Sequence, residues 1–227
     1  MKEQIISRRG RGFLIKYILF DLDGTLTNPK EGITKCVQHA LRHFGIERDC
    51  EELVEFIGPP LKEQFMKYAS LSEKDGEKAV KIYRERFAPI GIFENEIYDG
   101  IIPMMQTLKE AGKVMVIATS KPEIFARKIA DKYGITPYID DLFGSELDGR
   151  NTDKALVIKN AMKKLGADKE NTIMVGDREH DVIGAKKNGI KCIGVTYGFA
   201  REGELQKSGA SALANSPYAL LEILSAM

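Results

Sequence analysis

Tyr17-Ile18-Leu19-Phe20-Asp21-Leu22-Asp23-Gly24-Thr25 decides the fold. Its first four residues are apolar without alternation, the pattern of a strand buried on both faces of a parallel sheet. The run stops at two aspartates and a glycine, as such a strand does on reaching the carboxyl edge of its sheet. Four further runs behave alike: Val114 to Ala118, the short Ile139 to Phe143, Thr172 to Val175 and Cys192 to Val195, with a weaker one at Ala210 to Ala214. Helical patterns lie between them. One opens with Pro103 at its first position and closes at Gly112. Another, Lys154 to Leu165, puts Ala155, Ile158, Ala161, Met162 and Leu165 at helical spacing, and a third covers Asp181 to Lys187. Strands alternating with helices predict an α/β fold with a Rossmann-like, doubly wound parallel sheet.

One stretch interrupts the alternation. From about Pro29 to Glu96 only helical patterns occur, over Gly32 to Phe44, Glu51 to Phe56, Leu61 to Tyr68 and Glu73 to Phe87. That is too long for a crossover helix. Residues 29–96 are therefore expected to form an inserted helical cap domain, 13–28 and 97–227 the α/β core, and 1–12 an N-terminal extension. Gly58-Pro59-Pro60 reads as a stiff turn aiming the insert at the core. The segments Thr27 to Lys30 and Ile97 to Gly100 read as its linkers, with Gly100 as a hinge that lets the insert open and close.

The 227 residues are 43% hydrophobic and 30% charged, with a formal net charge of +1. This suits a globular protein with one sizeable core and provides no basic field for nucleic acid. No run approaches the roughly 18 apolar residues of a membrane span. The leader MKEQIISRRGRG is basic, but the apolar stretch after it, Phe13 to Phe20, enters a charged motif and not a cleavage site. Cys36, Cys50 and Cys192 show no metal-type spacing and fit a reducing compartment. A cytoplasmic location is the expectation.

The chemistry concentrates where strands end. Asp21 and Asp23 stand two apart on a turning loop at the carboxyl edge, where open α/β sheets bind ligands. One can attack a phosphorus atom while the other serves the leaving oxygen as general acid. Both are anionic, so a hard divalent cation is expected to join them to a phosphate. Gly24 permits close backbone approach, and Thr25 can hydrogen-bond within the turn. Thr119-Ser120 ends the second strand before Lys121-Pro122, which is read as opening a helix whose free amides would hold an anion. Lys154 starts a helix after a polar loop and can balance charge. Gly176-Asp177-Arg178-Glu179-His180-Asp181 ends the fourth strand with two carboxylates four apart. Singly, these are an acidic turn, a helix N-cap, a surface lysine and a capped helix start; together, on successive strands of one sheet, they describe a site.

The order DLDGT, an apolar strand ending ATS, a lysine, then GDREHD resembles the haloacid dehalogenase superfamily of phosphatases, over roughly Tyr17 to Met227. The helical insert, Phe56 to Leu61 and Gly91 to Glu96 resemble its phosphoglycolate phosphatase-like and 5′-nucleotidase-like branch. The resemblance implies a Mg2+-dependent phosphatase acting on a small phosphorylated metabolite through a phospho-aspartate. It implies Asp21 as nucleophile and metal ligand, and Asp23 as general acid and then base, with its backbone carbonyl on the metal. Thr119 and the Ser120 amide would hold the phosphoryl group, with Gly24 beside it, and Lys154 would balance charge. Asp177 would complete the metal site, and Asp181 behind it would orient a water on the metal or Lys154. A phosphomutase using the same two aspartates and a non-catalytic phosphate-ligand protein are the alternatives. Phosphoglycolate, a nucleoside monophosphate, a sugar phosphate and pyrophosphate remain open as substrates, and the sequence assigns no oligomeric state.

His39 and His43 have metal-compatible spacing but no further ligand nearby. His180 reads as an exposed loop residue. Lys62 and Arg86, in the insert, are candidates for a second anionic group on the substrate.

Overall fold

The computed structural model describes residues 14–227, so the expected extension 1–12 lies outside the described residues. The chain runs through β1 (Tyr17–Phe20) and β2 (Thr27–Asn28) into α1 (Lys30–Arg42), a 3-10 helix (Cys50–Phe56), α2 (Leu61–Ala69) and α3 (Glu73–Phe87), then β3 (Glu96–Ile97). It continues as α4 (Ile101–Glu110), β4 (Val114–Pro122), α5 (Glu123–Lys132), β5 (Asp141–Ser145) and α6 (Lys154–Leu165). The last elements are β6 (Thr172–Gly176), α7 (Glu179–Lys187), β7 (Lys191–Val195), α8 (Glu204–Ser208), β8 (Ala212–Ala214) and α9 (Pro217–Ser225).

Six strands form one parallel sheet in the order β5-β4-β1-β6-β7-β8. β1 is central, and the pleat sends its side chains alternately to two apolar layers. Leu19 packs with Val116, Ala118, Met174 and the α6 residues Val157, Ile158 and Ala161. Ile18 and Phe20 face the opposite layer, with Met105, Ile129 and Leu220. That second cluster continues without a break into the insert through Leu22, Phe56, Phe65 and Phe87. The Phe87 and Phe125 rings meet edge-on at 5.4 Å, joining α3 to α5. Where the chain leaves and re-enters the core, Thr27 pairs antiparallel with Ile97 and Asn28 with Glu96. The expected linkers thus begin as a two-stranded neck.

Several element ends differ from expectation. α4 begins at Ile101 behind Gly100, so Pro103 occupies its third position, where its missing N–H is still no loss. α1 begins at Lys30 and α7 at Glu179, each two residues early. β5 lies two residues later, and residues 50–56 wind as 3-10 helix. β4 does not stop at Ala118. It continues to Pro122 through a register shift against β5, and α5 opens at Glu123, so the Ser120 amide is not at a helix N-terminus.

Replacing the fully buried Leu19 by Ala removes packing from the layer beneath α6. A loss of about 2–5 kcal/mol of stability is expected, read as a lowered urea midpoint; an unchanged midpoint contradicts the central placement of β1.

Candidate active site

β1 delivers Asp21 to the carboxyl edge of the sheet, where the Asp21 amide donates to the Val175 carbonyl at 2.9 Å. The turn after it is held by backbone bonds. The Leu26 and Thr27 amides converge on the Leu22 carbonyl (2.9 and 3.0 Å), and Gly24 donates to Thr27 (2.7 Å). The Thr25 hydroxyl, expected to bond within the turn, is buried and takes no partner among the described residues. β6 delivers Asp177, and the first turn of α7 delivers Asp181.

These carboxylates converge. One oxygen from each of Asp21, Asp177 and Asp181 lies within 4.8 Å of the others, all three residues buried. Lys154, at the start of α6, reaches into the group and is 6% exposed. Its Nζ lies 2.8 Å from Asp21 Oδ1 and 2.9 Å from Asp181 Oδ1, and donates to the Ala118 carbonyl at 3.1 Å. Asp153 fixes the helix start by accepting from the Ala155 amide at 2.7 Å, which aims Lys154 inward. Asp181 Oδ2 accepts from the Arg178 amide (3.1 Å) and Asp177 Oδ2 from the Phe199 amide (2.8 Å). Asp177 Oδ1 is buried with no hydrogen-bond partner among the described residues.

Electrostatics follow the packing. Burial pushes the Asp177 carboxyl well above the usual range, and the charges of Asp181 and Asp21 add to this, while the Phe199 amide opposes it. Burial raises Asp181 too, against the pull of Lys154. Burial alone would lower Lys154, but Asp181 and Asp21 outweigh it and hold the ammonium above the ordinary lysine range.

Asp23 makes a separate contact, with Lys121 near the end of β4. Its Oδ2 accepts from Lys121 Nζ at 2.6 Å, while Oδ1 is buried with no hydrogen-bond partner among the described residues. Burial raises this carboxyl and Lys121 offsets part of the rise. Thr119 is 2% exposed, and its Oγ1 accepts from the Lys121 amide at 3.2 Å. The Ser120 hydroxyl instead donates to the Thr152 carbonyl at 2.9 Å, tying β4 to the loop before α6.

The donor set fits a hard divalent cation. All the convergent ligands are carboxylate oxygens, one has no hydrogen-bond partner among the described residues, and the four aspartates outnumber Lys154 and Lys121 by two. Asp181, expected behind the metal, has a carboxylate oxygen within the convergent group, whereas the Asp23 side chain turns to Lys121. Among the described residues this is the sole group of three or more such ligands, so His39 and His43 build none.

Gly24 has φ +84°, and a Cβ there would lie 2.1 Å from Asp177 Oδ2. At Gly176 a Cβ would lie 2.2 Å from Asp181 Cγ. Two glycines thus give the carboxylates room to meet.

Other expectations resolve differently. Arg86 grips both Glu94 oxygens (2.7 and 3.0 Å), and Lys62 pairs with Glu73 (2.8 Å) and Glu77 (3.0 Å), so both insert cations are paired with glutamates. Sequence reading missed Lys121, the Phe199 amide and Arg178. Arg178 is 8% exposed; it donates to the Ile57 carbonyl (2.6 Å) and pairs with Glu204 (2.9 Å), joining the fourth motif to the insert. His180 lines a cavity of about 270 Å³ with Gly58, Pro60, Ser120 and Lys154, beside the convergent group. A larger hollow of about 680 Å³ borders the edge strand β5, and none of the four aspartates lines it, so chemistry rather than volume locates the site.

The haloacid dehalogenase-like hydrolase family pattern matches residues 18–195, which include Asp21, Asp23, Thr119, Lys121, Lys154, Asp177 and Asp181. The chain belongs to that family. A 5′-nucleotidase of Pseudomonas aeruginosa is 47% identical over 190 residues, covering 83% of this chain and 86% of that protein. The tyrosine-protein kinase PtkA of Mycobacterium tuberculosis is 34% identical over 88% of this chain and 68% of its own length. A crystal structure of a predicted phosphatase from Clostridium acetobutylicum superposes with a TM-score of 0.91 at 44% identity, covering 94% of this chain and all of that one. The superfamily, the parallel-sheet fold and the phosphatase enzyme class expected from the sequence are borne out.

Gly24→Ala sets a Cβ against Asp177 at a strained φ, which costs about 1–3 kcal/mol in backbone terms alone. It is expected to lower the melting temperature and weaken divalent-cation binding together; calorimetry with and without cation measures both, and native values for both would contradict the packing described.

Proposed function

We propose that this hydrolase is a magnesium-dependent phosphatase that cleaves a small phosphorylated metabolite through a phospho-aspartate on Asp21. The observation that carries the reading is the convergence of Asp21, Asp177 and Asp181, with one buried lysine bridging Asp21 and Asp181 and an Asp177 oxygen left without a hydrogen-bond partner among the described residues. Asp21, Asp177 and the Asp23 backbone carbonyl would hold magnesium, with Asp181 steering Lys154. Bound there, the ion would neutralise charge between the aspartates and the phosphate.

The chain's own residues supply the remaining roles. An Asp21 oxygen forms a bond to phosphorus as the ester P–O bond breaks, and Asp23 gives its proton to the leaving oxygen. Asp23 then takes a proton from water as that water attacks the phospho-aspartate, returning Asp21 and releasing phosphate. Thr119 and the Ser120 amide hold the phosphoryl oxygens. Lys154 offsets charge on Asp21 throughout, so positioning and charge stabilisation carry most of the rate.

The relative named 5′-nucleotidase puts nucleoside monophosphates first in a substrate panel that also holds phosphoglycolate, sugar phosphates and pyrophosphate. Phosphate release with magnesium and without an acceptor supports hydrolysis; dependence on a bisphosphate activator would indicate a mutase, and phosphate appearing only on a protein acceptor a kinase. Asp21→Asn is expected to abolish turnover, while replacing one phosphate donor, as in Thr119→Ala, costs on the order of 10²–10³-fold. Full activity in Asp21→Asn, or no binding of beryllium fluoride with magnesium, ends the reading.

Stability should report the cation as well. A carboxyl whose pKa rises on folding favours the folded state while protonated, and that contribution is lost as pH climbs from its unfolded value of about 4 through its folded one. Asp23, Asp177 and Asp181 are all shifted upward. Magnesium binds the ionised form, so it should raise the melting temperature more at pH 7.5 than at pH 5; equal rises contradict its placement among these groups.

A further inference from the structure

Lys121 has no part in the reaction above, yet it is one of two lysines buried among the acidic residues. Lys154 is fully committed to Asp21, Asp181 and the Ala118 carbonyl. Among the described residues Lys121 reaches one carboxylate, Asp23, and its side chain is 6% exposed against 13% for Asp23. The two Asp23 oxygens are thereby made unequal: Oδ2 is held by the ammonium at 2.6 Å, and Oδ1 is buried without a hydrogen-bond partner among the described residues.

The lysine is itself constrained from two sides. Its amide donates to Thr119 Oγ1 at 3.2 Å, anchoring its backbone beside the phosphoryl-holding residue. Its Nζ lies 4.8 Å from the centre of the Phe87 ring, so α3 of the insert covers the ammonium. A buried ion pair is a weak source of stability, because desolvation offsets most of the attraction. Its geometric effect is strong: it fixes the carboxyl plane and leaves Oδ1 as the oxygen with no hydrogen-bond partner among the described residues.

We propose that Lys121 is a positioning residue for the general acid: it grips Asp23 Oδ2 so that Oδ1 alone meets the leaving oxygen and transfers the proton to it. The inference rests on the phosphatase reading and extends it by one residue. Atoms balance as before: the proton leaves Oδ1 for the alcohol oxygen as the P–O bond breaks, and Lys121 keeps its own protons throughout. Holding Oδ2 also couples the acid to the insert, because the Phe87 ring that shields the ammonium belongs to α3.

Leaving-group dependence tests this. An alkyl phosphate needs its leaving oxygen protonated, whereas p-nitrophenolate departs almost without help, so a misplaced acid penalises the first far more. K121M is expected to lose on the order of 10²-fold in kcat on alkyl phosphates and less than about 10-fold on p-nitrophenyl phosphate, within the range of general-acid effects. K121R should recover part of the alkyl loss, and K121M should still bind beryllium fluoride with magnesium. K121Q is read by the same criteria where K121M does not fold. Equal losses on both esters, or none on either, overturn the role of Lys121 while leaving the phosphatase intact. Wild-type protein that releases phosphate from neither ester overturns the phosphatase reading and this inference with it.

Discussion

Like charges buried together are the constraint to which this structure answers. Asp21, Asp177 and Asp181 lie close enough that their mutual repulsion, added to desolvation, would disperse them in an unsupported loop. Each is instead delivered by a rigid element. β1 and β6 are hydrogen-bonded neighbours, so Asp21 and Asp177 emerge side by side, and α7 brings Asp181 back over them. The ammonium of Lys154 then enters from α6 and bridges Asp21 and Asp181. The sheet therefore fixes both the attractive and the repulsive terms before any ligand arrives.

The second face of the site is organised differently. There the counter-ion of Asp23 is Lys121, which comes from β4 and lies against the Phe87 ring of α3. The irregular end of β4, with its register shift between Ala118 and Pro122, allows Thr119, Ser120 and Lys121 to serve three different neighbours in succession. Thr119 turns to the Lys121 amide, Ser120 to the loop before α6, and Lys121 to Asp23. A regular strand would send Thr119 and Lys121 to the same face.

How much of this could be read in advance depended on the range of each interaction. Four apolar runs marked strands because burial on both faces leaves no room for polar alternation, the edge strand β5 lies two residues later than its run, and Asp21, Lys154 and Asp177 followed from their places at element ends. Strand and helix limits were less legible. Pro103 suits any of the first helical positions, so it could not locate the start of α4, and nothing local in Ala118-Thr119-Ser120-Lys121 announces a bulged strand end. Arg86 and Lys62 looked available because their partners, Glu94 and the pair Glu73 and Glu77, meet them only after the insert has folded. Lys121 and Arg178 were missed for the same reason: Asp23 is 98 residues from the first, and Ile57 is 121 from the second.

Arg178 sits between Asp177 and Asp181 in sequence, and its guanidinium ends on a main-chain oxygen of the insert. An oxygen of the main chain cannot be deleted by mutation, so this tie survives any change of side chain at position 57. What can alter it is the path of the chain through Gly58-Pro59-Pro60, where Gly58 holds φ +103° with the Arg178 side chain packed against it. A loop of another length or course grafted here would therefore pull on Arg178, the residue that lies between Asp177 and Asp181. The route of the chain through residues 57–60 and the spacing of two buried carboxylates are thus tied by one guanidinium.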